Sequence, residues 1–265
     1  MLKDITLGQF FPGNTIAHRL DPRTKLILVV VYIVALFQTS GWISYIAVTA
    51  ATAGCMAASK IKPGSIFKGL KPMLFIIALT ALLNIFYTEG TPVLPGWIVT
   101  WEGIARAFQM VLRIVLLITG TFLLTYTTSP IALTDGLESL MNPLKKVGVP
   151  VHELSMMMCI ALRFIPTLIE ETDKIMCAQK ARGADFETGS LMDRAKALIP
   201  ILVPLFISAF RRADELATAM ECRCYQGGEG RTKMKLLRYH REDFLSYSVG
   251  VVLLIGVIVL KTMGL

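Results

Sequence analysis

The stretch Ile104–Thr128, IARAFQMVLRIVLLITGTFLLTYTT, decides the fold class. It runs for 25 residues with two charges, Arg106 and Arg113. About 20 apolar residues, each rising 1.5 Å, cross a hydrocarbon core of roughly 30 Å, so this segment is long enough to span a bilayer as a helix. Working outward, four shorter runs share its character: Leu26–Phe37 (extendable to Ser40), Trp42–Ala58, Pro72–Tyr87 and Phe244–Leu260. Each lies near the short limit and needs a few flanking residues to span. Five such runs would leave too little polar surface to cover a soluble helical core.

The 265-residue composition agrees. Hydrophobic residues make up 54% and charged residues 17%, against about 25% charged in an ordinary soluble domain. Mean hydropathy is +0.60. Twenty Gly and twelve Pro occur without period, which excludes a collagen-like chain. The first 25 residues are polar and no signal-like cleavage site follows a short apolar core, so the helices are expected to stay uncleaved.

A net charge of +8 and a pI near 9.3 would by themselves suggest nucleic acid or another acidic partner. The location of the charge argues otherwise. Residues 1–71 hold eight basic side chains against two acidic ones, whereas residues 129–243 are near neutral, with 16 against 15. No basic stripe interleaved with aromatics runs along one element, so no nucleic-acid partner is expected. Basic residues instead alternate between connections: four before the first run, none at 38–41, four at 59–71, none at 88–103, and 16 after Thr128. The positive-inside rule then puts the N-terminus and residues 129–243 inside and the C-terminus outside. Arg106 can snorkel from the outer end of its run. Arg113 sits nearer the middle, where a cation is costly, and should face protein or water. A role in helix packing and a role in partner contact or gating both fit.

Residues 129–243 differ in character. Pro130, Pro143, Pro150, Gly183, Gly189 and Gly227-Gly228 divide them into helices at roughly 131–142, 151–182 and 190–224. The second and third are amphipathic, with Leu154, Met157, Phe164 and Leu168, then Leu198, Leu202, Leu205 and Phe206, at helical spacing. Their most apolar parts, Leu154–Ile169 and Ala197–Phe210, are 16 and 14 residues, short of a span. Two crossings would also export five basic residues between them. Long helices at or under the inner membrane surface, with apolar faces against a partner, fit better. Eight of the 13 methionines fall in this segment, Met156, Met157 and Met158 among them. Flexible thioethers suit a surface that re-packs against different partners, although ordinary core filling explains them as well.

The expected fold is therefore all-α and polytopic. A membrane domain of four spans covers residues 1–128. A cytosolic domain of about three helices, two of them long and amphipathic, covers 129–243, and the last span covers 244–265. No phosphate-binding loop, zinc-protease motif or nucleophile elbow occurs, so catalysis in this chain is not expected, nor is a metal site. The five cysteines are odd in number, and Cys222-x-Cys224 lacks a second ligand pair, so they read as cytosolic thiols. Two other classes compete. An integral membrane enzyme could use Arg163, Glu170, Glu171 and Asp173, but their spacing fits a solvated helix face. A self-contained transporter would need intramembrane acidic or His residues, which are scarce.

Both long helices end on an arginine between small residues: Ala181-Arg182-Gly183 and Cys222-Arg223-Cys224. A cation there complements the helix dipole and Gly terminates the helix, which explains one such end without invoking function. Two ends after paired amphipathic helices suggest more. Small neighbours let the tip approach a partner closely, and a guanidinium can grip a carboxylate with two parallel hydrogen bonds.

With these motifs, and with His18-Arg19-Leu20-Asp21-Pro22-Arg23-Thr24-Lys25 before the first span, the whole chain resembles the transmembrane T component of energy-coupling factor (ECF) transporters, a branch of the ABC importers. Ala181-Arg182-Gly183 matches that family's Ala-Arg-Gly form, whereas Cys222 and Cys224 stand where Ala and Gly are commonest. The resemblance implies a scaffold in the bacterial cell membrane that joins two cytosolic ABC ATPases to a substrate-capturing S component, for uptake of a vitamin or metal ion. Arg182 and Arg223 would each dock into one ATPase, against acidic side chains. A surface including Met156, Met157, Met158, Phe164, Leu168, Leu202 and Phe206 would hold the S component. ATP and Mg would belong to the ATPases, with no cofactor in this chain, and membrane lipid would be a further partner.

Overall fold

A computed structural model describes residues 10–91, 100–184, 186, 190–228 and 236–263. Every regular element among them is helical: α1 (Ile16–Arg19), α2 (Pro22–Gln38), α3 (Trp42–Ser59), α4 (Pro63–Leu70), α5 (Leu74–Tyr87), α6 (Trp101–Thr127), α7 (Pro130–Met141), α8 (Val151–Ala181), α9 (Leu191–Glu221) and α10 (Arg241–Thr262). A single 3-10 turn, Lys71–Met73, joins α4 to α5, and a six-residue 3-10 segment, Asn142–Val147, follows α7. The fold is all-α, as the run lengths predict.

The described residues form two compact units. One comprises those up to Ser139 together with those from Leu237 on, and the other those from Leu140 to Leu236.

Among the described residues five helical segments are long and apolar enough to cross a membrane: α3, the α4–α5 stretch Pro63–Tyr87, α6, α8 and α10. The set differs from the expected one in two respects. First, α2 is 17 residues, because Thr39-Ser40-Gly41 turns the chain after Gln38. Second, α8 has the length and composition of a span, although the apolar stretch Leu154–Ile169 reads as too short. The helix runs unbroken through Pro166 and past both ends of that stretch. Only 6% of its apolar window is buried, against 22% for α6.

The larger unit has a core. Leu36 of α2, Tyr45 and Val48 of α3, Leu116 of α6 and Val257 of α10 form one buried cluster. Ile66, Leu70, Ile77 and Tyr126 form a second. Close approach sets the packing at Gly120, where a Cβ would run into the edge of the Tyr32 ring. The Tyr32 hydroxyl donates to the Leu116 carbonyl at 2.9 Å and lies 3.1 Å from Thr52 Oγ1. In an apolar medium each polar group needs such a partner, and the helix threonines follow suit: Thr49, Thr52, Thr119 and Thr127 return their hydroxyls to carbonyls one turn back.

Arg113 resolves in favour of packing. Its guanidinium donates to the Thr39 carbonyl at 2.8 Å and lies 5.8 Å from the Tyr45 ring centroid. Thr39 is the C-terminal cap of α2, so the cation serves a helix end whose carbonyls carry the negative pole of the dipole.

The segment His18–Lys25 ties three helices together. Asp21 caps α2 by accepting from Arg23 N at 2.9 Å, and Pro22 occupies the first turn. The Asp21 N–H donates to Oδ1 of Asp243, 222 residues away, whose Oδ2 accepts from His240 N at 2.7 Å and so caps α10. Lys25 Nζ donates to the Thr127 carbonyl at the end of α6, at 3.0 Å, and Arg23 lies 5.6 Å from the Tyr239 ring centroid. Asp243 is fully buried.

Candidate functional site

The smaller unit is built on α8 and α9, 31 residues each. They pair antiparallel. Glu171 meets Ser208 and Arg212, Gln179 Nε2 reaches the Pro200 carbonyl at 3.4 Å, and a Cβ on Gly228 would press on the His152 ring. Numbers thus rise along α8 as they fall along α9. Prolines explain one contact: Pro204 has no N–H, so the carbonyl of Pro200 lacks its partner one turn on, and the Gln179 amide supplies a donor.

The two arginine motifs adopt the same geometry. At the end of α8, Ala184 N donates to Gln179 O at 3.0 Å and Gly183 N to Lys180 O at 3.0 Å. At the end of α9, Tyr225 N donates to Met220 O at 3.1 Å and Cys224 N to Glu221 O at 2.8 Å. Both are the paired closure in which a left-handed residue turns the chain off the helix. Gly183 has φ +90 and Cys224 has φ +57. Arg182 and Arg223 therefore occupy equivalent positions, one residue before the left-handed one. Both are exposed, and neither forms an ion pair or side-chain hydrogen bond among the described residues. Ala181, Gly183, Cys222 and Cys224 beside them are exposed too.

Antiparallel pairing puts these arginines at opposite ends of the hairpin. Tyr225 lines the same groove as Ile160, so Arg223 lies near the first turns of α8, whereas Arg182 follows its last turn. At 1.5 Å per residue the separation is roughly 35 Å.

The apolar faces divide into seam and exterior. Phe164 and Leu168 of α8, with Leu216, Met220 and Tyr225, line a groove of about 460 Å³ along the seam. Met156 is half-buried, and Met157, Met158, Leu202 and Phe206 are exposed. The seven residues proposed as one surface thus fall on two faces.

Sequence reasoning missed the clamp across this seam. Glu171 accepts from the Ser208 hydroxyl and from Arg212 Nη2 at 2.8 Å. The Ser208 hydrogen bond and the Arg212 cation hold the Glu171 carboxyl below its ordinary range. Glu171 lies beyond the apolar part of α8, and it reads in the sequence as part of a solvated acidic face. The available signal was Ser208 and Arg212, four residues apart on one side of α9.

Fold and site together define a multi-pass helical membrane protein whose smaller unit presents one arginine at each end of a long helical hairpin. Residues 13–234 match the family model described as "Cobalt transport protein", CbiQ. Relatives called energy-coupling factor transporter transmembrane protein EcfT match nearly end to end. That of Ruminiclostridium cellulolyticum is 53% identical over 264 residues, 98% of each chain. That of Clostridium kluyveri is 55% identical over 257 residues, 96% of this chain and 95% of the relative. That of Bacillus subtilis is 48% identical over 246 residues, 92% and 93%. The chain belongs to the CbiQ/EcfT family, the transmembrane components of energy-coupling factor transporters.

Proposed function

We propose that this chain is the mechanical link of an ECF importer. It joins two cytosolic ABC ATPases to an S component that captures a vitamin or metal ion. In this reading the N-terminus and residues 129–243 face the cytosol of a bacterial cell, and ATP and Mg are bound by the ATPases.

One observation carries the proposal. Two exposed arginines sit in the same backbone geometry at opposite ends of one hairpin. A single docking partner would have no use for equivalent knobs roughly 35 Å apart, whereas a pair of ATPases offers two equivalent grooves. Each arginine projects from a closed helix end, so a force applied to it is transmitted along the helix axis. The bonds between α8 and α9, Glu171 to Ser208 and Arg212, make the hairpin respond as one body. The exposed Met157, Met158, Leu202 and Phe206 give that body an apolar exterior on which an S component can be held. Opening and closing of the ATPase pair would spread or draw together the two ends and move that exterior.

The test is co-purification with tagged ATPases and ATP-driven uptake, comparing wild type with Arg182→Ala plus Arg223→Ala. Assembly and uptake should both be lost, and each single variant should retain one ATPase contact. Lys at both positions should restore binding only partly, because an ammonium lacks the planar fork. Full assembly and uptake in the double alanine variant would end the proposal.

A further inference from the structure

Between Asp21 and Glu89 the sequence has no acidic residue, yet Lys60, Lys62, Lys68 and Lys71 cluster there around α4. All four are exposed, and none of their ammonium groups forms an ion pair or hydrogen bond among the described residues. Helix dipoles do not account for Lys68 and Lys71. They lie inside the continuous helical stretch Pro63–Tyr87, far from its C-terminal end.

The helix carrying them is firmly placed. Ile66 and Leu70 are buried in the cluster that contains Tyr126, near the end of α6. The Tyr126 hydroxyl donates to the Ser65 carbonyl at 3.4 Å, and a Cβ on Gly69 would run into the Phe122 ring. One face of α4 is therefore fixed against α6.

The opposite face is unusual for a polar surface. Phe67 is 72% exposed, and Lys71 lies one turn on, so ring and ammonium share a side. Lys68 adjoins them. Beyond Lys71 the same helical stretch runs from Leu74 to Tyr87 without a charge, and Leu74 and Phe75 are exposed. An exposed aromatic ring beside lysines, at the start of an uncharged span, is the pattern of a headgroup boundary. A cluster of four to eight basic residues next to a span attracts anionic lipid. An acidic protein surface would pair with the lysines but would leave the phenyl ring unused.

We propose that α4 is a lipid anchor. Phe67 enters the acyl boundary, and the unpaired lysines, Lys68 and Lys71 foremost, hold the phosphates of anionic phospholipids. In the orientation proposed above these lipids belong to the inner leaflet. The anchor is separate from the arginine-tipped hairpin, so it stands whether or not the coupling role does.

The test uses the full chain in nanodiscs of equal phosphatidylglycerol and phosphatidylcholine, with and without the ATPase subunits. Lipids retained on the released protein are counted by native mass spectrometry. Both leaflets have one composition, so the result does not depend on orientation. Wild type should favour phosphatidylglycerol by about tenfold or more, since each lysine near an anionic surface contributes about fivefold. Lys62→Gln plus Lys68→Gln plus Lys71→Gln should fall to about twofold. These side chains touch nothing that the fold requires; should the triple variant not fold, Lys71→Gln alone should lower the preference about fivefold.

Lys145→Gln plus Lys146→Gln plus Lys196→Gln removes the same charge from the smaller unit and should leave the preference as in wild type. Phe67→Ser should lower retention of both lipids alike and keep the preference between them. An unchanged preference in the α4 triple variant would overturn the anchor. So would an equal loss in the control variant, which would make net charge the cause. A preference that disappears from wild type once the ATPases bind would assign the lysines to a protein surface instead.

Discussion

The two compact units use their polar groups in opposite ways. In the larger unit, polar and charged side chains are turned inward to close helix ends. Asp243 is fully buried and holds two backbone N–H groups, Lys25 closes α6, and Arg113 closes α2. In the smaller unit, the described α8 and α9 bury few side chains, Val151, Ser155 and Ile201 among them, while apolar residues such as Phe206, Ile207 and Phe210 are exposed. Its motif arginines, Arg182 and Arg223, are exposed at the helix ends. A unit with an inward polar network has a fixed shape of its own. A unit with one seam and an apolar exterior is built to be completed by other molecules.

The strongest way to break this contrast is Asp243→Ala. Removal leaves the buried Asp21 N–H and the partly buried His240 N–H without their acceptor and takes from Lys25 the stronger of its two carboxylate neighbours. An uncompensated buried donor costs about 1–3 kcal/mol and a partly buried one less, so a loss of about 2–3 kcal/mol is expected. It should appear as a markedly lowered melting temperature in detergent. Asp243→Asn keeps one carbonyl acceptor and should fall between. A loss under about 1 kcal/mol would mean the inward network is not what fixes the larger unit.

Next in size is Gly183→Val. The left-handed φ of +90 admits a β-branched residue only with strain, of about 1–2 kcal/mol. Nothing crowds the position, so the cost should be local: the end of α8 frays and Arg182 loses its fixed direction. ATPase binding should weaken while the melting behaviour of the larger unit stays unchanged. Equal damage to both would show that the units are not energetically separate.

The opposite change tests the other end. Cys224 holds φ +57 with a Cβ, a strain of about 1–2 kcal/mol that glycine would relieve. Glycine also enlarges the unfolded ensemble, at a cost of about 0.5–1 kcal/mol. Cys224→Gly should therefore stabilise the hairpin by roughly 0.5 kcal/mol, read as slower amide exchange at Cys224 and Tyr225. If exchange there quickens, the left-handed closure is not strained.

How much of this was legible in the sequence depended on distance along the chain. Run length alone predicted α3, α6 and α10, because a span is a local property. The length of α8 was legible from Pro150 and Gly183, but its capacity to span was not, because Glu153 on one side and Glu170, Glu171 and Asp173 on the other bound the apolar stretch Leu154–Ile169. The two arginine ends were readable as local motifs, yet their placement at opposite ends of a hairpin needed the antiparallel pairing. Asp243 was invisible as a hub because its partner Asp21 lies 222 residues away. Glu171 read as solvated because its acidic neighbours Glu170 and Asp173 suggested a wet face, while its partners stand on another helix.

Glu171 also provides the finest test of the contrast between units. Its carboxyl titrates below the ordinary value because Ser208 donates to the ionised form and Arg212 stands beside it. A depressed folded-state pKa contributes stability that is fully present above the unfolded carboxylate pKa, near 4.3, and is lost as pH falls through the folded value. The seam between α8 and α9 should therefore be insensitive to pH around neutrality and loosen only in acid. Glu171→Gln should remove that acid step and leave a slightly weaker seam at pH 7, measured by amide exchange in α9 around Ser208. The pair is partly exposed, so the effect should be the smallest of the set and should shrink with added salt. If the acid step survives in Glu171→Gln, another carboxylate carries it. The outward-facing unit would then be held by its charged surface more than by this one clamp.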